Sequence, residues 1–227
     1  MATVGAIIVG GGRGERMGGV DKVFAPLGGR PLLAYSIAAF EESRLIQFIV
    51  VVLNERNLAQ GAALVREGRW QKVVAVVPGG ARRQDSTRAG LVALPPCDFV
   101  AVHDAARPFV TTELIRRGVE MTIALGAAVA AMPVKETIKV VGDDGLVLQT
   151  PPRDTLWAAQ TPQFAGRAAL ERALALADER GMTVTDEAAA LEAAGEAVTV
   201  FAGAYTNLKV TTPEDLLLAA ALLTAGV

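Results

Sequence analysis

The sequence predicts an α/β fold in which helices flank an open, mostly parallel β-sheet of the Rossmann-like kind. Three observations predict it: short runs of β-branched residues recur along the chain, segments with helical spacing separate them, and the runs are apolar throughout. Strands that are apolar on both faces are typical of a sheet buried between two layers of helices, where helical crossovers join parallel strands.

The elements alternate regularly over the first 130 or so residues. The predicted strands lie at 6–9, 48–53, 73–77, 99–103 and 127–132. The predicted helices between them lie at 31–42, 56–68, 85–94 and 112–125. Near the C-terminus, helical spacing returns at 167–181 and 186–195, an apolar stretch follows at 198–203, and Pro213 opens a last helix.

The alternation of strands and helices stops after Pro133. The stretches TIKVV and LVLQT alternate polar and apolar residues around the turn sequence GDDG, which predicts a β-hairpin. An isolated hairpin is marginally stable, so it needs a surface to lie on. The sheet of the same chain or a second subunit would serve equally well. We favour a homodimer, with residues 1–227 forming one domain and 134–155 its projecting arm.

The composition excludes several classes of protein. The 22 Lys and Arg residues balance 24 Asp and Glu residues, a net charge of −2, which gives no basis for a large nucleic-acid surface. The most apolar tail, LLLAAALLTAGV, is shorter than the roughly 18 residues that span a bilayer. The single cysteine, Cys97, precludes an intrachain disulfide, and no signal-peptide pattern precedes the first strand. We therefore expect a cytoplasmic protein without a membrane partner.

A glycine-rich loop, VGGGRGERMGGVDK at 9–22, follows the first predicted strand. Glycines let backbone N–H groups approach an anion, and Arg13, Arg16 and Lys22 add positive charge. The dinucleotide fingerprint fails at Met17, and Lys22 lacks the neighbours of a P-loop lysine. The loop therefore suits a triphosphate, while a tight turn with solvated arginines is the structural alternative.

Two further stretches carry candidate site residues. In VAVHDAARPFV, Asp104 follows an apolar strand, where a carboxylate facing a triphosphate would hold Mg²⁺ or its water shell; a turn or helix cap is the alternative. In GGARRQDSTRAGL, Gly79, Gly80 and Ser86 would read a base through backbone groups and a hydroxyl, unless Asp85 only caps the helix.

The chain resembles a family along its whole length. The opening loop is similar to that of the nucleotidyltransferases that activate sugars and polyols, and at least as similar to guanylyltransferases of molybdenum-cofactor synthesis. The latter leave HDAARP and the arm unexplained. The order of six stretches resembles that of the 2-C-methyl-D-erythritol 4-phosphate cytidylyltransferases: GGARRQDS, HDAARP, PVKETIK, TPPRDTLWAAQTPQ, TDEA and NLKVT.

This resemblance implies a nucleotide-diphospho-sugar transferase fold, dimeric assembly, and Mg²⁺-dependent transfer of a cytidylyl group from CTP to a polyol phosphate in non-mevalonate isoprenoid synthesis. It implies catalytic roles at the triphosphate for Arg16, Lys22 and Lys209. It implies nucleotide contacts at Gly10, Gly11, Gly12, Gly14, Gly79, Gly80, Ser86 and Asp104, with Asp104 also near the metal. It implies acceptor contacts at Arg107, Thr137, Arg153, Thr161 and Thr185, of which Thr137 and Arg153 come from the neighbouring subunit.

Two positions depart from the family's common pattern. Gly10 and Gly11 replace an alanine pair, which is sterically permissive. A Pro-Lys-Gln stretch becomes Asp-Lys-Val, and the charge of Asp21 beside Lys22 would weaken the field at the phosphate site.

The expected chemistry requires no general base, because an acceptor phosphate with a second pKa near about 6 is mostly dianionic at neutral pH. The only histidine, His103, is accordingly expected to be structural. Two alternatives remain open at this stage: a ribitol 5-phosphate cytidylyltransferase, and a catalytically inactive CTP-binding regulator.

Overall fold

A seven-stranded sheet forms the centre of the molecule. The computed structural model describes residues 2–226 apart from 12–15 and 18–19, and at 16, 17 and 20 it describes the backbone alone. The strands of the sheet are β1 (Val4–Gly10), β2 (Phe48–Leu53), β3 (Val73–Pro78), β4 (Phe99–Asp104), β5 (Ala127–Pro133), β6 (Trp157–Gly166) and β7 (Thr199–Ala202). Their order across the sheet is β7-β5-β6-β4-β1-β2-β3.

The sheet is mostly parallel, as the sequence predicts. Strands β1, β2, β3 and β4 pair in parallel, as do β5 and β7, while β6 lies antiparallel between β4 and β5. Strand β6 is not among the strands predicted from the sequence. It contains Pro162, which cannot donate to a ladder, and its pairing with β5 shifts register between Ala159 and Gln163. Because of this interruption, the sequence of β6 does not show the continuous apolar pattern of the other strands.

The described part of the chain contains seven helices. They are α1 (Leu32–Glu42), α2 (Leu58–Gly68), α3 (Arg83–Ala93), α4 (Thr112–Leu125), α5 (Arg167–Glu179), α6 (Glu187–Ala193) and α7 (Pro213–Thr224). Helices α1 and α4 pack on one face through residues such as Phe40 and Ile115, and α3, α5 and α6 pack on the other through residues such as Leu91 and Leu170. The resulting fold confirms the predicted class.

Short polar residues begin several helices, as capping chemistry requires. The Thr111 hydroxyl accepts from the backbone N–H of Leu114 at 3.1 Å, and Thr212 forms a capping box with Asp215. None of the helices in the described residues combines the length and apolar character needed to cross a bilayer.

The predicted hairpin is also present. Val140–Val141 pairs antiparallel with Val147–Gln149 as a small sheet outside the central one. Six apolar side chains of this arm are 38 to 69% exposed: Ile138, Val140, Val141, Leu146, Val147 and Leu148. A second subunit is one surface that would cover them, so the role of 134–155 in a dimer stays a prediction.

Candidate active site

Two neighbouring cavities open at the carboxyl ends of the central strands, the edge where open α/β sheets bind ligands. The first, of ≈ 120 Å³, is lined by residues that include Gly10, Asp21, Lys22, Arg83, Asp104 and Lys209. The second, of ≈ 170 Å³, is lined by residues that include Arg83, Asp104, Arg107, Thr161, Thr185 and Lys209. Arg83, Asp104 and Lys209 line both cavities, so they mark the junction between them.

Asp104 is the last residue of β4, and its carboxylate lies among three cations. Oδ2 lies 2.9 Å from Lys209 Nζ and 3.6 Å from Arg107 Nε, while Oδ1 accepts from Arg83 at 3.4 Å. Burial alone would raise the pKa of Asp104, but the charges of Arg83, Lys209 and Arg107 hold this pKa below its ordinary value. The carboxylate is therefore ionised at neutral pH and fixed at the junction of the cavities.

The backbone of Asp104 is held by a hydrogen bond to Thr161, which in turn contacts His103. Its N–H donates to Thr161 Oγ1 at 3.0 Å, and that hydroxyl lies 3.1 Å from His103 Nδ1. His103 Nε2 lies 3.2 Å from the carbonyl oxygen of Arg107, an acceptor, so the ring proton resides on Nε2 and Nδ1 accepts from Thr161. Complete burial lowers the pKa of His103 to about 3, which keeps the ring neutral. The structural role expected for His103 fits this arrangement.

Arg107 borders the second cavity from a buried position. Its Nη1 donates to the carbonyl oxygen of Asn207 at 2.7 Å, and its Nε has no hydrogen-bond partner among the described residues. Asn207 is fully buried, and its Nδ2 donates to the carbonyl oxygen of Thr161 at 2.8 Å. These bonds tie the loop that carries Lys209 to β6. The buried Nε faces Asp104 Oδ2 at 3.6 Å, so the charge of Arg107 is directed toward that carboxylate at the edge of the cavity.

A separate corner near the first cavity brings the glycines of two loops together. A Cβ placed on Gly11 would lie 3.3 Å from Gly79 Cα and 3.1 Å from Ser86 Oγ, so the two loops touch. Ser86 is buried and accepts from the N–H of Gly80 at 3.2 Å. Asp85 caps α3 by accepting from the N–H of Arg82 at 3.0 Å, as the structural alternative held. The capping role of Asp85 is thus present, and contact of Gly79, Gly80 and Ser86 with a base stays a prediction.

The carboxylate of Asp21 is bound by Asn57, Arg56 and the backbone of Val23. Oδ2 accepts from Asn57 Nδ2 at 2.7 Å and lies 3.5 Å from Arg56 Nη2, and Oδ1 accepts from the N–H of Val23 at 3.3 Å. Lys22 begins a short 3₁₀ turn capped by this carboxylate and lines the first cavity. Arg56 therefore offsets the negative charge that the sequence placed beside Lys22.

The structure brings some of the predicted residues together and leaves others apart. Gly12, Gly14 and the side chain of Arg16 lie outside the described residues. Thr137 and Arg153 are exposed at the arm, and neither lines the two cavities described above. Arg153 instead donates from Nη1 to the carbonyl oxygen of Lys135 at 2.9 Å. Within one chain these two residues do not reach the junction.

Sequence reasoning missed Arg83 and Glu187. Arg83 Nη1 lies 2.5 Å from Glu187 Oε1, and its Nε and Nη2 face Asp104. Both residues belong to stretches that carried the resemblance, GGARRQDS and TDEA. The charge of these residues, inside stretches that resemble the family, could have identified them as candidate site residues.

The carboxylates of the first cavity would suit Mg²⁺ that arrives with a triphosphate. Among the described residues, no group of three or more His, Cys, Asp or Glu side chains is placed to hold a metal. Two carboxylates, Asp21 and Asp104, line the first cavity. Mg²⁺ is commonly held by one or two carboxylates together with substrate phosphates, which this arrangement permits.

Comparison with known proteins finds relatives that match this chain over nearly its whole length. A protein from Dehalococcoides mccartyi named 2-C-methyl-D-erythritol 4-phosphate cytidylyltransferase is 44% identical over 223 residues, 98% of this chain and 97% of that protein. The crystal structure of 4-diphosphocytidyl-2C-methyl-D-erythritol synthase from Anaerococcus prevotii has a TM-score of 0.88 at 28% identity, and covers 98% of this chain and 99% of its own. The crystal structure of 2-C-methyl-D-erythritol 4-phosphate cytidylyltransferase from Thermus thermophilus has a TM-score of 0.79 at 32% identity. The match covers 99% of this chain and 100% of the Thermus chain. Residues 4–225 match the family described as 2-C-methyl-D-erythritol 4-phosphate cytidylyltransferase, and the chain belongs to that family.

Proposed function

We propose that this chain transfers the cytidylyl group of CTP to 2-C-methyl-D-erythritol 4-phosphate, giving 4-diphosphocytidyl-2-C-methyl-D-erythritol and pyrophosphate. This is the reaction for which its family is named, a step of non-mevalonate isoprenoid precursor synthesis. The observation that carries the proposal is the pair of cavities that share Arg83, Asp104 and Lys209. Such a junction lets two anionic substrates meet between fixed cations.

The nucleotide would occupy the first cavity and the acceptor the second. An oxygen of the acceptor phosphate attacks the α-phosphorus of CTP and forms a new P–O bond. The bond from that phosphorus to the bridging oxygen breaks on the opposite side, and its electron pair leaves with pyrophosphate. The acceptor phosphate needs no deprotonation, because its second pKa is near about 6. The task of the protein is therefore to orient the reactants and stabilise their charge.

Cations on both sides of the reacting phosphorus would supply that stabilisation. Lys22 and Lys209 line the first cavity, and Arg16 belongs to the glycine loop beside it. Gly10, Gly11, Gly12 and Gly14 would offer backbone N–H groups to the triphosphate, and Gly79, Gly80 and Ser86 would contact cytosine. Arg107, Thr161 and Thr185 would orient the acceptor from the second cavity.

Mg²⁺ bound with the nucleotide would neutralise triphosphate charge as the leaving group departs. Asp104 is the carboxylate at the junction that would face this ion or its water shell. Lys209 lies 2.9 Å from the same carboxylate, so metal and lysine would share its charge when the nucleotide is present.

A homodimer would complete the second cavity. Thr137 and Arg153 lie at the arm, and the hairpin between them exposes six apolar side chains that a neighbouring subunit would cover. An arm that reaches across the dimer would bring Arg153 to the acceptor phosphate of the partner. The proposed setting is the reducing cytoplasm, which suits a chain with one cysteine.

The experiment is pyrophosphate release from purified protein with Mg²⁺, one nucleotide and one acceptor at a time. We expect release with CTP and 2-C-methyl-D-erythritol 4-phosphate, and far less with ATP, GTP or UTP. Faster release with ribitol 5-phosphate would assign the chain to that cytidylyltransferase activity instead. CTP binding without release for any acceptor would identify an inactive regulator.

A further inference from the structure

Glu187 is a buried carboxylate next to the site, and no step proposed above uses it. It opens α6 and is 2% exposed. Its Oε1 lies 2.5 Å from Arg83 Nη1 and accepts from Thr87 Oγ1 at 2.8 Å, whereas Oε2 has no hydrogen-bond partner among the described residues. Burying a carboxylate with one oxygen unpaired costs free energy, and the interaction with Arg83 offsets part of that cost.

The guanidinium of Arg83 bridges two carboxylates. On one side it meets Glu187, and on the other its Nε and Nη2 both lie 3.4 Å from Asp104 Oδ1. Burial lowers the pKa of Arg83, but the negative charges of Glu187 and Asp104 outweigh burial and raise it, so the side chain remains protonated. The shorter contact is with Glu187, which therefore holds Arg83 more closely than Asp104 does.

This arrangement divides the two oxygens of Asp104 between different cations. Oδ1 faces Arg83, and Oδ2 faces Lys209 at 2.9 Å. Without a negative charge at Glu187, Asp104 would be the nearest carboxylate left for Arg83. The guanidinium would then move toward Asp104 and compete with Lys209 for it, because charge pairs attract strongly in a poorly solvated site.

We propose that Glu187 is a positioning residue for the transfer reaction. By holding Arg83 to one oxygen of Asp104, it leaves the other oxygen to fix Lys209 at the junction of the two cavities. The proposal rests on the function proposed above, because Lys209 is the cation expected to contact both substrates. The proposal extends the site to α6. Glu187 opens that helix but lines neither of the two cavities.

The test is the isosteric variant Glu187→Gln, which removes the charge and keeps an oxygen toward Arg83 and Thr87. We expect kcat to fall between about tenfold and a hundredfold, the range for a misplaced group at a reacting centre. The KM values for CTP and acceptor should stay the same or fall, since removing a negative charge favours anion binding. Because a loss of folded protein would also lower the apparent kcat at an unchanged KM, kcat is expressed per folded protein.

Two control variants accompany this measurement. Glu171→Gln makes the same chemical change in a pair with Arg167 on α5, at 2.8 Å and exposed, and should leave both constants unchanged. Thr87→Val keeps the charge of Glu187 and removes one donor, so its kcat should lie between those of the parent and Glu187→Gln. Thermal unfolding of each variant gives the folded fraction at the assay temperature.

Kinetic and structural results can each overturn the proposal. A kcat for Glu187→Gln within about twofold of the parent, a higher KM, or a loss that disappears on correction for folded protein would refute it. A crystal structure of the variant should also place Lys209 Nζ more than about 4 Å from Asp104 Oδ2, beyond ion-pair distance. An unchanged distance between Lys209 and Asp104 in the variant would refute the positioning role. Inactivity of the parent protein with CTP would instead refute the proposed function, so the two failures are distinguishable.

Discussion

Lys209 Nζ lies 2.9 Å from Asp104 Oδ2, at the point where the two cavities meet. The lysine comes from the loop after β7, and the carboxylate comes from the end of β4. Their contact places a primary ammonium group beside both proposed substrates. The charge of Lys209 should therefore matter more for turnover than for folding.

Lys209→Ala should lower kcat by about a hundredfold to a thousandfold, as expected when a fixed donor is removed at a centre of developing charge. Asp104 would still face Arg83 and Arg107, so the fold should survive. Arg16→Ala should lose a similar factor. Steady-state pyrophosphate release measures these effects, with Lys72→Ala as the matched control because Lys72 binds the carbonyl oxygen of Ser43. Near-normal turnover in both site variants would contradict these roles.

The bond between Asp21 and Asn57 should position Lys22. Asp21→Asn keeps an oxygen for Asn57 Nδ2, so the KM for CTP should change less than about threefold. Asn57→Leu removes the donor at 2.7 Å from a poorly exposed carboxylate and should raise this KM by about tenfold, the cost of one bond to a charged group. Nucleotide-dependent kinetics would compare the two variants. A larger effect from Asp21→Asn would mean that the charge itself acts on the nucleotide.

His103 should make the fold sensitive to acid. Its folded-state pKa of about 3 lies below the ordinary value of about 6.5, so between these pH values the unfolded chain binds a proton that the folded chain does not. The free energy of unfolding should therefore fall as the pH falls below about 6.5, by up to about 1.4 kcal/mol per unit from this group. Urea unfolding at pH 6.5, 5.5 and 4.5 measures the slope. In His103→Gln, the slope of the unfolding free energy against pH should be smaller by up to about 1.4 kcal/mol per unit, which corresponds to one proton. A slope equal to that of the parent would show that His103 does not titrate this way.

The arm should act on the partner subunit. If Arg153 serves the neighbour's site, a chain with Arg153→Ala and a chain with Lys209→Ala would each be inactive alone. A mixed dimer would then contain one intact site. Co-expression with random pairing should restore about a quarter of parental turnover, since about half of the dimers are mixed and one of their two sites is intact. No recovery in mixed dimers would indicate that the arm serves its own chain.

Much of the fold was predictable, because parallel strands bury both faces and their apolar runs stand out. Strand β6 was not, since Pro162 and a register shift interrupt the pattern. In the site, Asp104 was predictable from its place at a strand end. The pair of Arg83 and Glu187 was not, because these residues lie 104 positions apart and meet only when the fold brings the start of α3 beside the start of α6. Local periodicity carries no information on such a contact.

The most direct test is a crystal structure of the protein with CTP and Mg²⁺. We expect the triphosphate to lie between Lys22 and Lys209 in the first cavity, with cytosine against Gly79, Gly80 and Ser86. The α-phosphorus should then face the second cavity, beside Asp104. Nucleotide bound at another surface, with Lys22 and Lys209 both turned to bulk solvent, would contradict the claim that these cations bring the two substrates together.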